Sequence, residues 1–232
     1  MSSLKGKGSY RFLSFLFVFC LLFTQPADCR YFKNHNLSVT ERLDKGEVVV
    51  GLKEIGKKKF VTGRVWIPYS LDKVWPIMVN PYEFKSNISP GMRDLEVITD
   101  TANMSVLKVT AKYPIPLPIP PISYTVQSNY SHSPDNSLVE FKRVGGALKD
   151  FHGFWRAKSI CHGTKTEIFY SMYIEPGFFV PQWIIRRGVS GQLPDTLNSL
   201  RKRIKSIYST HSPREKQSIT ATAQLPKVTN QL

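Results

Sequence analysis

Apolar side chains recur along the C-terminal third of the chain at helical spacing. Ile185, Val189, Leu193, Leu197, Leu200, Ile204 and Ile207 follow one another at steps of three or four residues. That places them in one stripe and predicts an amphipathic helix over residues 182–207. Arg186, Arg187, Arg201, Lys202, Arg203 and Lys205 occupy its other faces. Pro194 lies inside it, removes a backbone donor and predicts a kink.

Upstream the period changes from helical to alternating. Residues 47–55 and 58–67 read as two strands joined by a tight turn at Gly56-Lys57. In the second, Val61, Gly63, Val65 and Ile67 share one face. Ser70 is a good helix cap, with Leu71, Val74, Trp75, Met78 and Val79 as a short apolar face behind it, and a second short helix is expected over 82–89. Alternating runs then recur at 95–99, 104–112, 123–130, 138–144, 151–160 and 164–174, separated by turn-forming residues. Strands in hairpin order argue for an antiparallel sheet, and a long helix after them makes the class α+β. The stretch 113–123, with five prolines between Pro114 and Pro121, breaks the pattern. It is read as an extended apolar segment, either packed on the core, forming a lip over a cavity, or dipping into a bilayer.

Both ends differ from this middle. Lys5, Lys7 and Arg11 precede an uncharged apolar run from Phe12 to Phe23, and Ala27 follows. That order is expected of a secretory signal over 1–29, and a run this short falls below the roughly 20 residues of a membrane-spanning helix. Residues 30–46 are read as a flexible lead-in and 209–232 as a disordered polar tail, which leaves a single domain over 47–208. The formal charge is +15, favouring anionic surfaces such as phospholipid headgroups or acidic polysaccharide. Cys20 falls within the expected signal, and Cys29 leaves with it if cleavage follows Cys29 rather than Ala27. Cys161 is then alone, with no internal disulfide framework or cysteine-based metal site, whereas a retained Cys29 leaves a Cys29–Cys161 bridge open. The sequons at Asn36, Asn87, Asn103 and Asn129 matter only in a eukaryotic secretory pathway.

The run Gly63-x-Val65-x-Ile67-Pro68-x-Ser70-x-Asp72-x-Val74-Trp75 resembles the first strand and helix entry of START-like (SRPBCC) proteins. Within these it is most similar to the coenzyme Q-binding and polyketide cyclase/dehydrase branch. Tyr82-Glu83, Pro90-Gly91-Met92, Phe151-His152-Gly153-Phe154-Trp155, Gly163-Thr164-Lys165-Thr166, Pro181-x-Trp183 and Leu197-x-x-Leu200-Arg201 follow in the order of that pattern. The resemblance implies a helix-grip fold, in which a curved antiparallel sheet wraps a long C-terminal helix, with short helices after an early strand and an apolar cavity between sheet and helix. It also implies binding of lipids, sterols, quinones or other hydrophobic molecules, often without catalysis. An N-terminal signal, Pro76 and the proline-rich segment depart from the family pattern.

A hydrophobic-ligand site fits the residues best. Its expected walls are Val61, Val65, Leu107, Tyr124, Phe141, Trp155, Tyr170 and Met172 from strands, with Trp183 and Val189 from the helix. Arg186, Arg187, Arg201, Lys202 and Arg203, beside Phe178, Phe179 and Trp183, are candidates for an anionic membrane surface. Asp150 and His152 share a strand face and could form an acid–base pair, but strand parity puts them outside the core. No catalytic or metal-binding motif is present and no cofactor is expected. The reading is therefore an exported, periplasmic or extracellular, monomeric carrier of a hydrophobic ligand, with an uncleaved N-terminal membrane anchor as the less favoured alternative and nucleic acid disfavoured as a partner. Its alternatives are a cyclase- or hydrolase-type enzyme using the same cavity and a membrane-surface or protein-partner module.

Overall fold

The computed structural model describes residues 37–89, 91–112 and 120–209. The proposed signal, most of the proline-rich segment and the tail beyond Ser209 lie outside the described residues. The domain unit begins at Val39. A short helix α1 (Val39–Asp44) comes first and buries Leu43. This corrects the expectation of a flexible lead-in through residue 46: two apolar residues, Val39 and Leu43, are too few to set a period, yet Leu43 finds the core. Lys45 and Gly46 then close the helix with bonds to Glu41 and Leu43 carbonyls.

Strands β1 (Val49–Ile55) and β2 (Lys58–Ile67) form the first hairpin. Helix α2 (Leu71–Val79) and the turn α3 (Pro81–Glu83) follow, and α3 runs into a π-helical turn at Phe84–Ile88. The meander comprises β3 (Met92–Asp100), β4 (Met104–Ala111), β5 (Ile122–Ser131), β6 (Asn136–Gly146), β7 (Leu148–Ile160) and β8 (Lys165–Pro176). Strand β3 is longer than the 95–99 read from sequence, because it pairs with β4 along its whole length as an edge. The chain then enters α4 (Gln182–Ser209), which is continuous through Pro194.

All pairings are antiparallel, in one eight-stranded sheet of order β1-β2-β8-β7-β6-β5-β4-β3. The strand last in sequence thus pairs with β2, and the sheet curls round α4 as expected of a helix grip. The helix stripe read from sequence is the buried one: Ile185, Val189, Leu193, Leu197, Leu200 and Ile204 all face inward. Gly63 permits the close approach of α4 to β2, since a Cβ there would lie 2.7 Å from Leu197 Cδ1 and 2.8 Å from Leu193 Cδ2. A bidentate pair of Arg203 on α4 with Glu83 on α3, at 2.7 and 2.8 Å, ties the helix to the other wall.

Candidate functional site

Helix and sheet do not fill the space between them along their whole length. Leu197, Leu200 and Ile204 pack into the core, whereas Val189, Gln192, Leu193 and Thr196 look onto a cavity of about 240 Å³. That volume is just under the roughly 300–1,000 Å³ usual for small-molecule sites. It suits one compact ligand or a single chain better than a two-chain phospholipid.

The sheet contributes the other walls by parity. Leu107, Val109 and Ala111 of β4 face Val126, Tyr124 and Ile122 of β5 across the ladder. Val139 and Phe141 of β6, Phe151 and Trp155 of β7, and Tyr170, Met172 and Ile174 of β8 complete the concave side. The π-helical turn aims Phe84 onto Trp155, with ring centres 5.7 Å apart and nearly perpendicular. Such turns re-aim one side chain out of helical register. Trp155 in turn lies 4.2 Å from Tyr170, and Phe141 bridges Tyr170 and Phe151. Gly91, Lys112 and Gln192 meet at one end, where Lys112 donates from its backbone to Gly91. Lys112 and Gln192 are exposed there and mark the mouth.

Of the walls read from sequence, Leu107, Tyr124, Phe141, Trp155, Tyr170, Met172 and Val189 line this cavity. Val61 and Val65 do not. They lie at 3% and 0% exposure on β2, where the helix packs directly against the sheet. Trp183 does not either and is 61% exposed. It precedes Ile185 by two residues, about 200° round the helix, which turns it away from the buried stripe. Ser128 and Tyr130 line the cavity too, on the face of β5 that strand parity gives to Tyr124 and Val126.

The polar groups inside are hydroxyls. Burial among the walls pushes the Tyr124 phenol up to about 12 and raises Tyr170 further. Burial raises Tyr130 as well, against the opposing effect of its short hydrogen bond to Ser105. All three are neutral donors at physiological pH. Among the described residues Tyr170 donates to the Met172 sulfur, at 3.1 Å, a weak acceptor. Lys112 is the one Lys, Arg, His, Asp or Glu among the described lining residues.

The Asp150–His152 pair exists, with Oδ1 and Nδ1 2.8 Å apart, but it lies on the convex face of the sheet. Lys58 donates to the other Asp150 oxygen at 2.6 Å, and the His152 ring packs on Phe60 and Tyr173. Burial works to raise the Asp150 carboxyl, but Lys58 and His152 outweigh it and hold it below the usual carboxylate range. No grouping of His, Cys, Asp and Glu suited to a metal occurs among the described residues.

Two of the helix cations leave the proposed membrane surface. Arg203 is held by Glu83, and Arg201 donates to the Gly46 carbonyl at 2.8 Å and to Asn198 at 2.6 Å. They are braces of α4, because their positions in the helix bring them against α3 and the α1–β1 junction. Arg187 is exposed and Arg186 partly so, near the exposed Phe178, Phe179 and Trp183; Lys202 is exposed too but lies roughly 28 Å further along α4.

The family model described as polyketide cyclase/dehydrase and lipid transport matches residues 67–201, more than half of the chain. The chain belongs to this family. Solved structures share the fold of this family member at low identity. A STAR-related lipid transfer protein from Xanthomonas axonopodis is 16% identical, with 68% of this chain and 93% of that one covered at a TM-score of 0.58. Human STARD10 is 12% identical, covering 76% and 78% of the two chains at 0.56. The Zhui aromatase/cyclase from Streptomyces sp. R1128 is 13% identical, covering 66% and 98% at 0.55. No curated protein matches the chain. The fold and the family thus support hydrophobic-ligand binding.

Proposed function

We propose that this family member is an exported, non-catalytic carrier of a neutral hydrophobic ligand such as an isoprenoid, quinone or single-chain lipid. The observation that carries the reading is the cavity itself: apolar and aromatic walls, a mouth at Gly91, Lys112 and Gln192, and interior hydroxyls kept neutral by burial. Neutral phenols orient a ligand but supply no base near pH 7. One protein of the same fold is an aromatase/cyclase, so cyclisation of a polyketide-like substrate is the second reading. It would require the tyrosine hydroxyls to act as proton donors.

Loading takes place at an anionic membrane. Phe178, Phe179 and Trp183 are exposed at the entry to α4, with Arg186 and Arg187 on its next turn. Aromatic side chains suit the headgroup boundary, and each cation near an anionic surface contributes about 1 kcal/mol. Export rests on the N-terminal sequence alone.

The test is transfer of a fluorescent isoprenoid between donor and acceptor vesicles of phosphatidylcholine, with and without phosphatidylserine. Protein-dependent transfer that rises with phosphatidylserine and falls with salt is expected. No uptake of any isoprenoid, quinone or lipid probe would overturn the carrier reading, and turnover of a polyketide substrate would favour the cyclase.

A further inference from the structure

Two hydroxyls facing the cavity, those of Ser128 and Tyr124, have no hydrogen-bond partner among the described residues. Ser128 is 9% exposed and faces the cavity from β5, opposite Phe141. Its neighbour Tyr130 is engaged with Ser105, so Ser128 stands beside a closed polar pair without joining it. Tyr124 sits four residues nearer the mouth on the same face of β5, packed edge-on against Phe151 at 5.3 Å. Every other polar side chain set deep in the core has a use. Thr166 donates to the Tyr69 carbonyl, Ser137 bonds His132 and the Ser133 carbonyl, and Ser105 bonds Tyr130. The exceptions among the described residues are Ser171, on the opposite face of β8 and turned away from the cavity, and the Arg143 Nε on β6, which is not a lining residue.

A hydroxyl that faces an apolar cavity with no protein partner gains a hydrogen bond when a ligand oxygen reaches it. Neither Ser128 nor Tyr124 is needed for packing, since alanine or valine and phenylalanine would serve. The two are separated by four residues of strand, roughly 13 Å at about 3.3 Å per residue. Val126, Leu107 and Val109 form an apolar floor between them.

Building on the carrier reading, we propose that the ligand is an elongated neutral molecule with an oxygen function towards each end of an apolar body. One oxygen accepts from Tyr124 near the mouth, where it is also in reach of the weakly satisfied Tyr170. The other accepts from Ser128 at the inner end. Both hydroxyls are donors, because burial keeps the phenols protonated and serine does not ionise. The walls between them reward methylene or isoprenoid units and penalise a polar group in the middle. Among the described lining residues no side chain at the inner end balances a charge, so that end disfavours fatty acids and other anions, and Lys112 at the mouth is the one cation they reach.

The experiment titrates the full chain with linear alkanols and with alkanediols carrying a hydroxyl at each end, over octane, decane, dodecane and tetradecane lengths. Binding is followed by calorimetry for wild type, Ser128→Ala and Tyr124→Phe. Diols should bind about five-fold tighter than alkanols of equal length, with a maximum at intermediate length. Ser128→Ala should abolish that advantage and leave alkanol affinity unchanged. Tyr124→Phe should weaken alkanols and diols alike. Alkanols and diols that bind equally to wild type, or a Ser128→Ala variant that keeps the diol preference, would overturn the two-oxygen inference and leave the carrier reading standing. Failure of every alkanol and diol to bind a folded protein would count against the cavity as a ligand site and take both down.

Discussion

Replacing Gly153 by alanine should unfold the domain more readily than any surface change. Gly153 lies on β7 between Phe151 and Trp155, both walls of the cavity, and pairs with Phe141 and Met172. A Cβ at this position would stand 2.0 Å from the Ser171 carbonyl oxygen, 2.8 Å from Phe141 Cζ and 2.9 Å from Met172 Cα. Ordinary carbon–oxygen contact begins near roughly 3.3 Å, so β7 and β8 must move apart by about 1 Å or more. Two of the three obstacles are backbone and cannot rotate aside. Overpacking of this kind costs about 1–3 kcal/mol. Loss of two ladder bonds between β7 and β8 adds about 1 kcal/mol each. A destabilisation of about 3 kcal/mol or more follows, which for a domain of this size lowers Tm by about 6–12 °C. Calorimetric melts of Gly153→Ala against wild type measure it. Gly91→Ala is the control, since its Cβ would meet nothing closer than Gln192 Oε1 at 3.6 Å. A Gly153→Ala melt within about 2 °C of wild type would refute the reasoning that the sheet bends tightly enough here to exclude a side chain.

Further outcomes follow from the cavity and its braces. Leu107→Trp should fill empty space rather than crowd the core, so ligand uptake is lost while the melting temperature is kept or raised; loss of both would place Leu107 in packed core instead. Breaking the Glu83–Arg203 pair with Glu83→Gln should cost about 1 kcal/mol at pH 7. The Arg203 hydrogen bond holds the folded Glu83 carboxyl below its ordinary 4.5, so that stability is present above this value and lost as pH falls through the lowered one. The gap between wild type and Glu83→Gln in denaturant melts should therefore shrink as pH falls below 4.5, and a gap independent of pH would show that the ion pair is not its source. Charge reversal of Arg186 and Arg187 should weaken binding to phosphatidylserine vesicles without lowering stability. Arg201→Ala should do the opposite, because its guanidinium is spent on Gly46 and Asn198.

Much of this architecture could be read from residue order, and the part that could not has a physical cause. The stripe from Ile185 to Ile204 announces a helix with one wet face, and strand alternation from Val61 to Ile174 announces the sheet and its concave side. Alternation says which face a residue occupies, not whether a helix meets that face or leaves a gap. Val65 and Tyr170 lie on the same face of neighbouring strands, yet Val65 is packed under α4 and Tyr170 looks into the cavity. The difference is set by the tilt of α4, which depends on Gly63 and on the Arg203–Glu83 pair across 120 residues. Long-range contacts also decide the fate of the helix cations: Arg201 and Arg187 look alike in the sequence, and only the first finds a carbonyl. Short α1 was illegible because Leu43 alone anchors it, and the π-helical turn because nothing local marks Phe84 for re-aiming.

The central claim is that the cavity between α4 and the sheet carries a hydrophobic molecule. Native mass spectrometry of the chain purified from lipid-containing cells, followed by organic extraction, tests it most directly. The account predicts a co-purifying neutral lipid, isoprenoid or quinone at near-equal stoichiometry, absent from Leu107→Trp. A protein that emerges ligand-free and takes up none of these from vesicles would contradict it.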